Sequence, residues 1–256
     1  NGACFRKDVR GFLPELMEKF YTDRTKFKRY MIDAKVKYQE TKDKKYLSQI
    51  STYHNIQHSR KIALNSAYGA LGNQYFRYYD ERLATAITTS GQLSIRWIEA
   101  RVNKYLNEIL KTDNVDYIIA SDTDSIYVRF KELVDKVNPS NPVEFLNKVA
   151  SDKIEPFINE CYEELSDYMH AYEQKMEMAR EVIADKGIWT AKKRYILNVH
   201  DNEGVRYVEP ELKVMGIESV KSSTPHACRQ KMKDSFKVIV NEDEKSVNEF
   251  IQNFRK

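Results

Sequence analysis

Between Leu110 and Arg129 the apolar residues change period, and that change limits the fold more than any other feature of the chain. Upstream the period is helical. Leu13, Leu16, Met17 and Phe20 recur at helical spacing behind Pro14, predicting a helix that runs to about Gln39. The polar stretch Glu40–Lys45 marks a reversal, and a second helix is expected over Tyr46–Ser66, so the first seventy residues predict a helical hairpin. Gly69 and Gly72 predict its end, because each glycine weakens a helix by roughly 1 kcal/mol relative to alanine. A third helix fits Thr85–Leu110, with an apolar stripe of Ile87, Leu93, Ile98, Val102, Leu106 and Ile109. Then Tyr117–Ala120 and Ile126–Val128 read as short strands flanking the turn-rich Ser121–Ser125, a β-hairpin with two aspartates at its tip. Residues 1–13 predict a short extended stretch, and 143–180 predict helix again. Strands are expected at Tyr195–Val199 and Val205–Val208 around a turn at 201–204, with a helical tail from Thr224. This order predicts an α+β fold.

Composition excludes several classes. No run approaches the ~18 apolar residues of a membrane-spanning helix, which excludes a membrane span and fits a cytoplasmic protein. The three cysteines, Cys4, Cys161 and Cys228, are odd in number and far apart, giving neither a disulfide framework nor a Cys-x2-Cys zinc site and predicting a reducing compartment. A chain that begins with Asn1 is expected to be one piece of something larger. The net charge of +4 conceals blocks: 11 Lys/Arg against 3 Asp/Glu over 24–61, 4 against 11 over 141–185, and 9 against 5 over 186–231. Basic blocks suit contact with a polyanion, and equally suit Lys-rich solvated helices.

Asp122 and Asp124, spaced i, i+2, would share one face of a strand and could hold divalent cations between them. Such a pair suits Mg2+, which takes a few carboxylates plus phosphate oxygens. Asp-x-Asp also occurs in glycosyltransferases, calcium loops and plain turns. Arg24 and Lys28 lie i, i+4 on the first helix, and Lys61 lies on the returning one; together they could grip a triphosphate or simply be solvated. Tyr68 beside Gly69 marks a place where a base could approach or a ring could pack. Lys192-Lys193-Arg194-Tyr195 and Lys221 with Ser222, Ser223 and Thr224 could contact a sugar-phosphate backbone. The histidines, His54, His58 and His200 among them, are read as structural, and Tyr78, Tyr79, Trp97 and Trp189 as packing aromatics.

In order along the chain these segments resemble family B DNA polymerases. Lys61-Ile62-Ala63-Leu64-Asn65-Ser66-Ala67-Tyr68-Gly69 resembles the family's Lys-x3-Asn-Ser-x-Tyr-Gly fingers motif. Tyr117–Tyr127 with Asp122-Thr123-Asp124-Ser125 resembles its palm metal-binding motif, and Lys192–Tyr195 its Lys-Lys-Arg-Tyr motif. Asn73–Asp80, Ala84–Thr89 and Lys221–Pro225 are similar to the replicative polymerases of T-even-type phages.

The resemblance implies a two-helix fingers hairpin, a partial antiparallel palm sheet backed by helices, and a helical thumb stub. Its boundaries are 1–14 for the end of an upstream palm segment, 15–72 for fingers, 73–220 for palm and 221–256 for the start of the thumb. It implies catalytic, metal-holding roles for Asp122 and Asp124, and dNTP contacts from Arg24, Lys28, Lys61, Asn65 and Tyr68. DNA contacts would come from Lys192, Lys193, Arg194, Tyr195 and Lys221. The implied activity is template-directed DNA synthesis with Mg2+ as cofactor and primer-template DNA and dNTP as partners. The family's Asp-x2-Ser-Leu-Tyr-Pro-Ser motif and its exonuclease are expected from a separate amino-terminal half, unless an acidic residue here such as Glu181 completes the site. The alternatives are a non-catalytic nucleic-acid-binding or assembly module derived from a polymerase, and a glycosyltransferase resting on Asp-x-Asp alone.

Overall fold

The computed structural model describes residue 4 and residues 6–254, which form an α+β fold divided into two units, 1–180 and 181–256. The expected extended start lies partly outside the described residues; Lys7–Val9 form bends.

The first unit opens with α1 (Phe12–Thr41) and α2 (Lys45–Leu71), packed as an antiparallel hairpin. Lys42, at φ 55°, caps α1 by donating its N–H to Tyr38 O, and the Asp43 carboxylate accepts from Lys45 N–H, so the chain reverses where its polar stretch predicts. Met31 and Ala34 of α1 and Gln57 of α2 are buried. Tyr53 packs on Phe27 and Tyr30 with ring centroids at 6.3 and 5.5 Å. The helix does not break at Gly69. A single glycine weakens a helix without ending it, and α2 continues to Leu71 and ends at Gly72.

Helix α3 (Glu81–Leu110) is capped by Asp80, whose carboxylate accepts from Arg82 N–H at 2.9 Å. Ile98, Val102, Leu106 and Leu110 bury its stripe against Ile158, Cys161, Tyr162 and Leu165 of α6 (Glu155–Tyr168). Each such aliphatic contributes about 1.5–3 kcal/mol by leaving water. Tyr105 stacks on Phe157 at 4.1 Å, and Trp97 Nε1–H donates to Cys161 O. The hairpin β1 (Ile118–Asp122) and β2 (Ser125–Val128) forms a two-stranded sheet rooted in this core by Tyr117 and Ile118.

A short helix, α4 (Lys131–Val137), precedes the helical region expected over 143–180, which is α5 (Pro142–Val149), a π-turn over Ala150–Ile154 and α6, with 169–180 irregular. Pro156 has no N–H to give the turn behind it, and the backbone widens there so that Glu155 N–H reaches Ala150 O.

The second unit is a three-stranded antiparallel sheet, β3 (Val182–Ala191), β4 (Arg194–Asn202) and β5 (Val205–Met215), followed by α7 (His226–Asn241) and α8 (Glu244–Phe254). β4 is central and buried from Tyr195 through Val199. Ile196, Ile217 and Val240 form the core, with Leu212, Val214, Met232 and Phe236 packed on it. Glu203 and Gly204, at φ 54° and 86°, make the β4–β5 turn, as the sequence predicts.

Candidate active site and nucleic-acid interface

The two aspartates sit at the end of the β1–β2 hairpin, but not on one strand. Asp122 is the last residue of β1, paired with Ser125, while Thr123 and Asp124 form the turn. Strand alternation therefore does not set their geometry; the turn does. Thr123 adopts φ 57°, its hydroxyl donates to Asp122 Oδ1 at 3.0 Å, and Ser125 Oγ donates to Asp122 O at 3.2 Å. Asp122 is half-buried and Asp124 exposed.

One residue pair that the sequence reading missed holds this hairpin. Asn103 and Asn107, i and i+4 on α3, act as a substitute strand edge. Asn103 Oδ1 accepts from Tyr117 N–H at 2.8 Å, and Asn107 accepts from Val115 N–H at 2.9 Å while donating to Val115 O at 2.8 Å. Paired asparagines inside an apolar helical stripe were the available signal. Tyr162 of α6 lies in the same buried core as Tyr117 and Ile118, and burial and then the Asp124 charge push its phenol pKa upward.

As a donor set, Asp122 and Asp124 offer only hard carboxylate oxygens, which fit Mg2+. They are two, and among the described residues no group of three or more His, Cys, Asp or Glu is placed to hold a metal. The pair fits the ion as part of a shell shared with water and phosphate oxygens. Glu181, considered as a completing ligand, lies in the second unit with its carboxylate 2.6 Å from Lys213 Nζ.

On the helical hairpin, Lys61, Asn65 and Tyr68 follow i, i+4, i+7 spacing and form one exposed row on α2. Arg60, beside Lys61, lies 3.7 Å from Asp23 and over the Phe20 ring at 5.9 Å, which sets this part of α2 level with the turn of α1 that carries Arg24. Arg24 and Lys28 are half-buried on α1, and Arg24 Nε has no hydrogen-bond partner among the described residues.

In the second unit Lys192 and Lys193 are the two-residue β3–β4 turn, both exposed, with Lys193 at φ 61°. Arg194 and Lys221 both donate to Glu218 Oε1 at 2.9 Å. The Lys221 hydrogen bond foremost, with the Arg194 charge adding to it, holds that carboxyl below its usual range. Tyr195 is buried beside Trp189, ring centroids 6.2 Å apart.

The model of the family described as DNA polymerase family B matches residues 3–256. The chain belongs to that family. Among its relatives, this family B chain is 47% identical to the DNA-directed DNA polymerase of Enterobacteria phage T4 over 212 residues, 77% of the chain and 24% of the relative. It is 48% identical to that of Escherichia phage RB69 over 200 residues, 73% of the chain and 22% of the relative. DNA polymerase 037L of Invertebrate iridescent virus 6 is 27% identical over 96% of the chain. The family B chain thus spans about a quarter of the length of the phage relatives it matches.

Proposed function

We propose that this chain supplies the triphosphate-gripping surface and part of the metal-holding surface of a template-directed DNA polymerase that joins dNTPs to a primer 3′-hydroxyl. The observation that carries this reading is the exposed row Lys61, Asn65, Tyr68 in the same unit as the Asp122–Asp124 hairpin tip. Residues 1–14 then end an upstream palm segment, 15–72 are fingers, 73–220 palm and 221–256 the start of the thumb.

In this reading Arg24, Lys28 and Lys61 neutralise charge that develops on the phosphates as the leaving group departs, the kind of stabilisation a preorganised donor provides. Asn65 and Tyr68 line the nascent base pair. Asp122 and Asp124 hold Mg2+, which when bound lowers the pKa of the primer hydroxyl and steadies the pyrophosphate. Lys192, Lys193, Arg194, Tyr195 and Lys221 support the strand backbone and its duplex. A carboxylate from an amino-terminal half would complete the ion shell, because Asp122 and Asp124 supply only two of the donors that two shared ions would need. The enzyme works in the cytoplasm, that of the host cell if the chain is phage-encoded.

Primer extension with Mg2+ and dNTPs tests this. The chain alone is expected to be inactive and the mixture with an amino-terminal half carrying the exonuclease and the upstream palm Asp motif active. Template-dependent synthesis by the chain alone would contradict the ligand assignment. A second reading, a non-catalytic nucleic-acid-binding or assembly module, is favoured by the two-carboxylate donor set; it predicts DNA binding without synthesis in any mixture, and unchanged binding after Asp124→Asn.

A further inference from the structure

The second unit contains a cationic pocket outside every residue assigned above. About 240 Å³ in volume, it is lined by Ser219, Val220, His226, Arg229, Gln230 and Lys233. Ser219 is 1% exposed, and its Oγ has no hydrogen-bond partner among the described residues. Arg229 Nε is enclosed and equally without a partner. A buried donor left unmade costs about 1–3 kcal/mol, so two beside one pocket point to an acceptor supplied from outside.

The surrounding charge says which acceptor. His226, Arg229 and Lys233 follow i, i+3, i+7 spacing along α7, and no carboxylate lines the pocket. The nearest acids in sequence are Glu218, already engaged by Arg194 and Lys221, and Asp234, whose carboxylate accepts from Gln230 at 3.0 Å. Helix α7 starts behind Pro225 with no side-chain cap and no acidic residue in its first turn, leaving its N–H groups and the positive end of its dipole uncompensated. A hydroxyl donor, a guanidinium, an ammonium and a helix N-terminus together select a tetrahedral oxyanion.

We propose that this pocket binds a phosphate group, with Ser219 Oγ–H and Arg229 Nε–H donating to its oxygens and Lys233 and the start of α7 neutralising it. The phosphate comes from the free ion or from a nucleic-acid strand, and the pocket stands whether or not the polymerase reading does. Thermal unfolding of the 256-residue chain in phosphate and in chloride at matched ionic strength, with 31P line broadening as second readout, provides the test. Phosphate is expected to raise the midpoint and broaden the line. Arg229→Gln should abolish both effects and Ser219→Ala should weaken phosphate binding about tenfold. Ser219→Ala removes a hydroxyl that has no partner among the described residues, so its midpoint in chloride should not fall. Equal midpoints in the two salts, or a full phosphate response in both variants, would overturn the proposal. Adding a duplex without terminal phosphates separates the sources: recovery of the sharp line assigns the pocket to strand phosphate, and persistence of the broad line assigns it to the free ion.

Discussion

Gly216 packs against the backbone of Lys193 so closely that a Cβ at residue 216 would stand 2.0 Å from the Lys193 carbonyl oxygen. With φ 67° as well, the position rejects side chains twice over. Gly216→Ala should therefore destabilise the second unit by at least about 1–3 kcal/mol, from backbone strain alone. Urea unfolding checks this, and an unchanged midpoint would show that the Lys192–Lys193 turn can shift freely.

Lys61 heads the exposed row of α2. Replacing it by alanine in the assembled enzyme should cost about 2–4 kcal/mol of transition-state stabilisation, the scale of one removed charge-stabilising donor. Single-turnover dNTP incorporation measures it. Wild-type kinetics in the variant would remove Lys61 from the triphosphate site.

Asn107→Leu should cost about 1–3 kcal/mol, because the Val115 amide loses its acceptor. In the assembled enzyme the same change should weaken metal dependence before it weakens DNA binding, since it loosens the root of the hairpin that carries Asp122. A Mg2+ titration of activity, beside a DNA-binding isotherm, distinguishes the two effects.

The Asp80 carboxyl is lowered from 3.8 to about 2, first by the Arg82 side chain and then by the Arg82 N–H. A depressed carboxylate pKa contributes stability that is fully present above the unfolded value and is lost as pH falls through the folded one. The loss should lie between pH 3.8 and about 2. Asp80→Asn keeps a capping oxygen but cannot titrate, and its melting temperature should vary less with pH across that window.

The stripes of α1 and α3 were legible because each repeats its pattern over many turns, and the Asp122 hairpin because strong β-formers flank a polar turn. What was not legible has local causes. β3 was missed because Lys186-Gly187 interrupts its apolar alternation; the structure accommodates the glycine by laying Trp189 across it, where a Cβ would lie 2.6 Å from the ring. The helix expected through 169–180 fails because its residues reach the core singly and not as a helical face: Met178 packs on the core while Met169, Tyr172 and Met176 stay exposed. Of the candidate site, residue identities were readable from spacing, whereas the root of the hairpin that carries Asp122 and Asp124 is held by Asn103 and Asn107, whose partners Tyr117 and Val115 lie beyond the end of their helix.

That asparagine latch also divides the motions of the hairpin. The amides of Val115 and Tyr117 are held by side chains of α3, not by a neighbouring strand, so their hydrogen exchange should follow the slow opening of the helix core. Asp122 and Asp124 lie beyond the latch, at the end of a sheet only two strands wide. The amides of residues 122–125 should therefore exchange faster than those of Val115 and Tyr117, so that the hairpin opens from its tip toward its root.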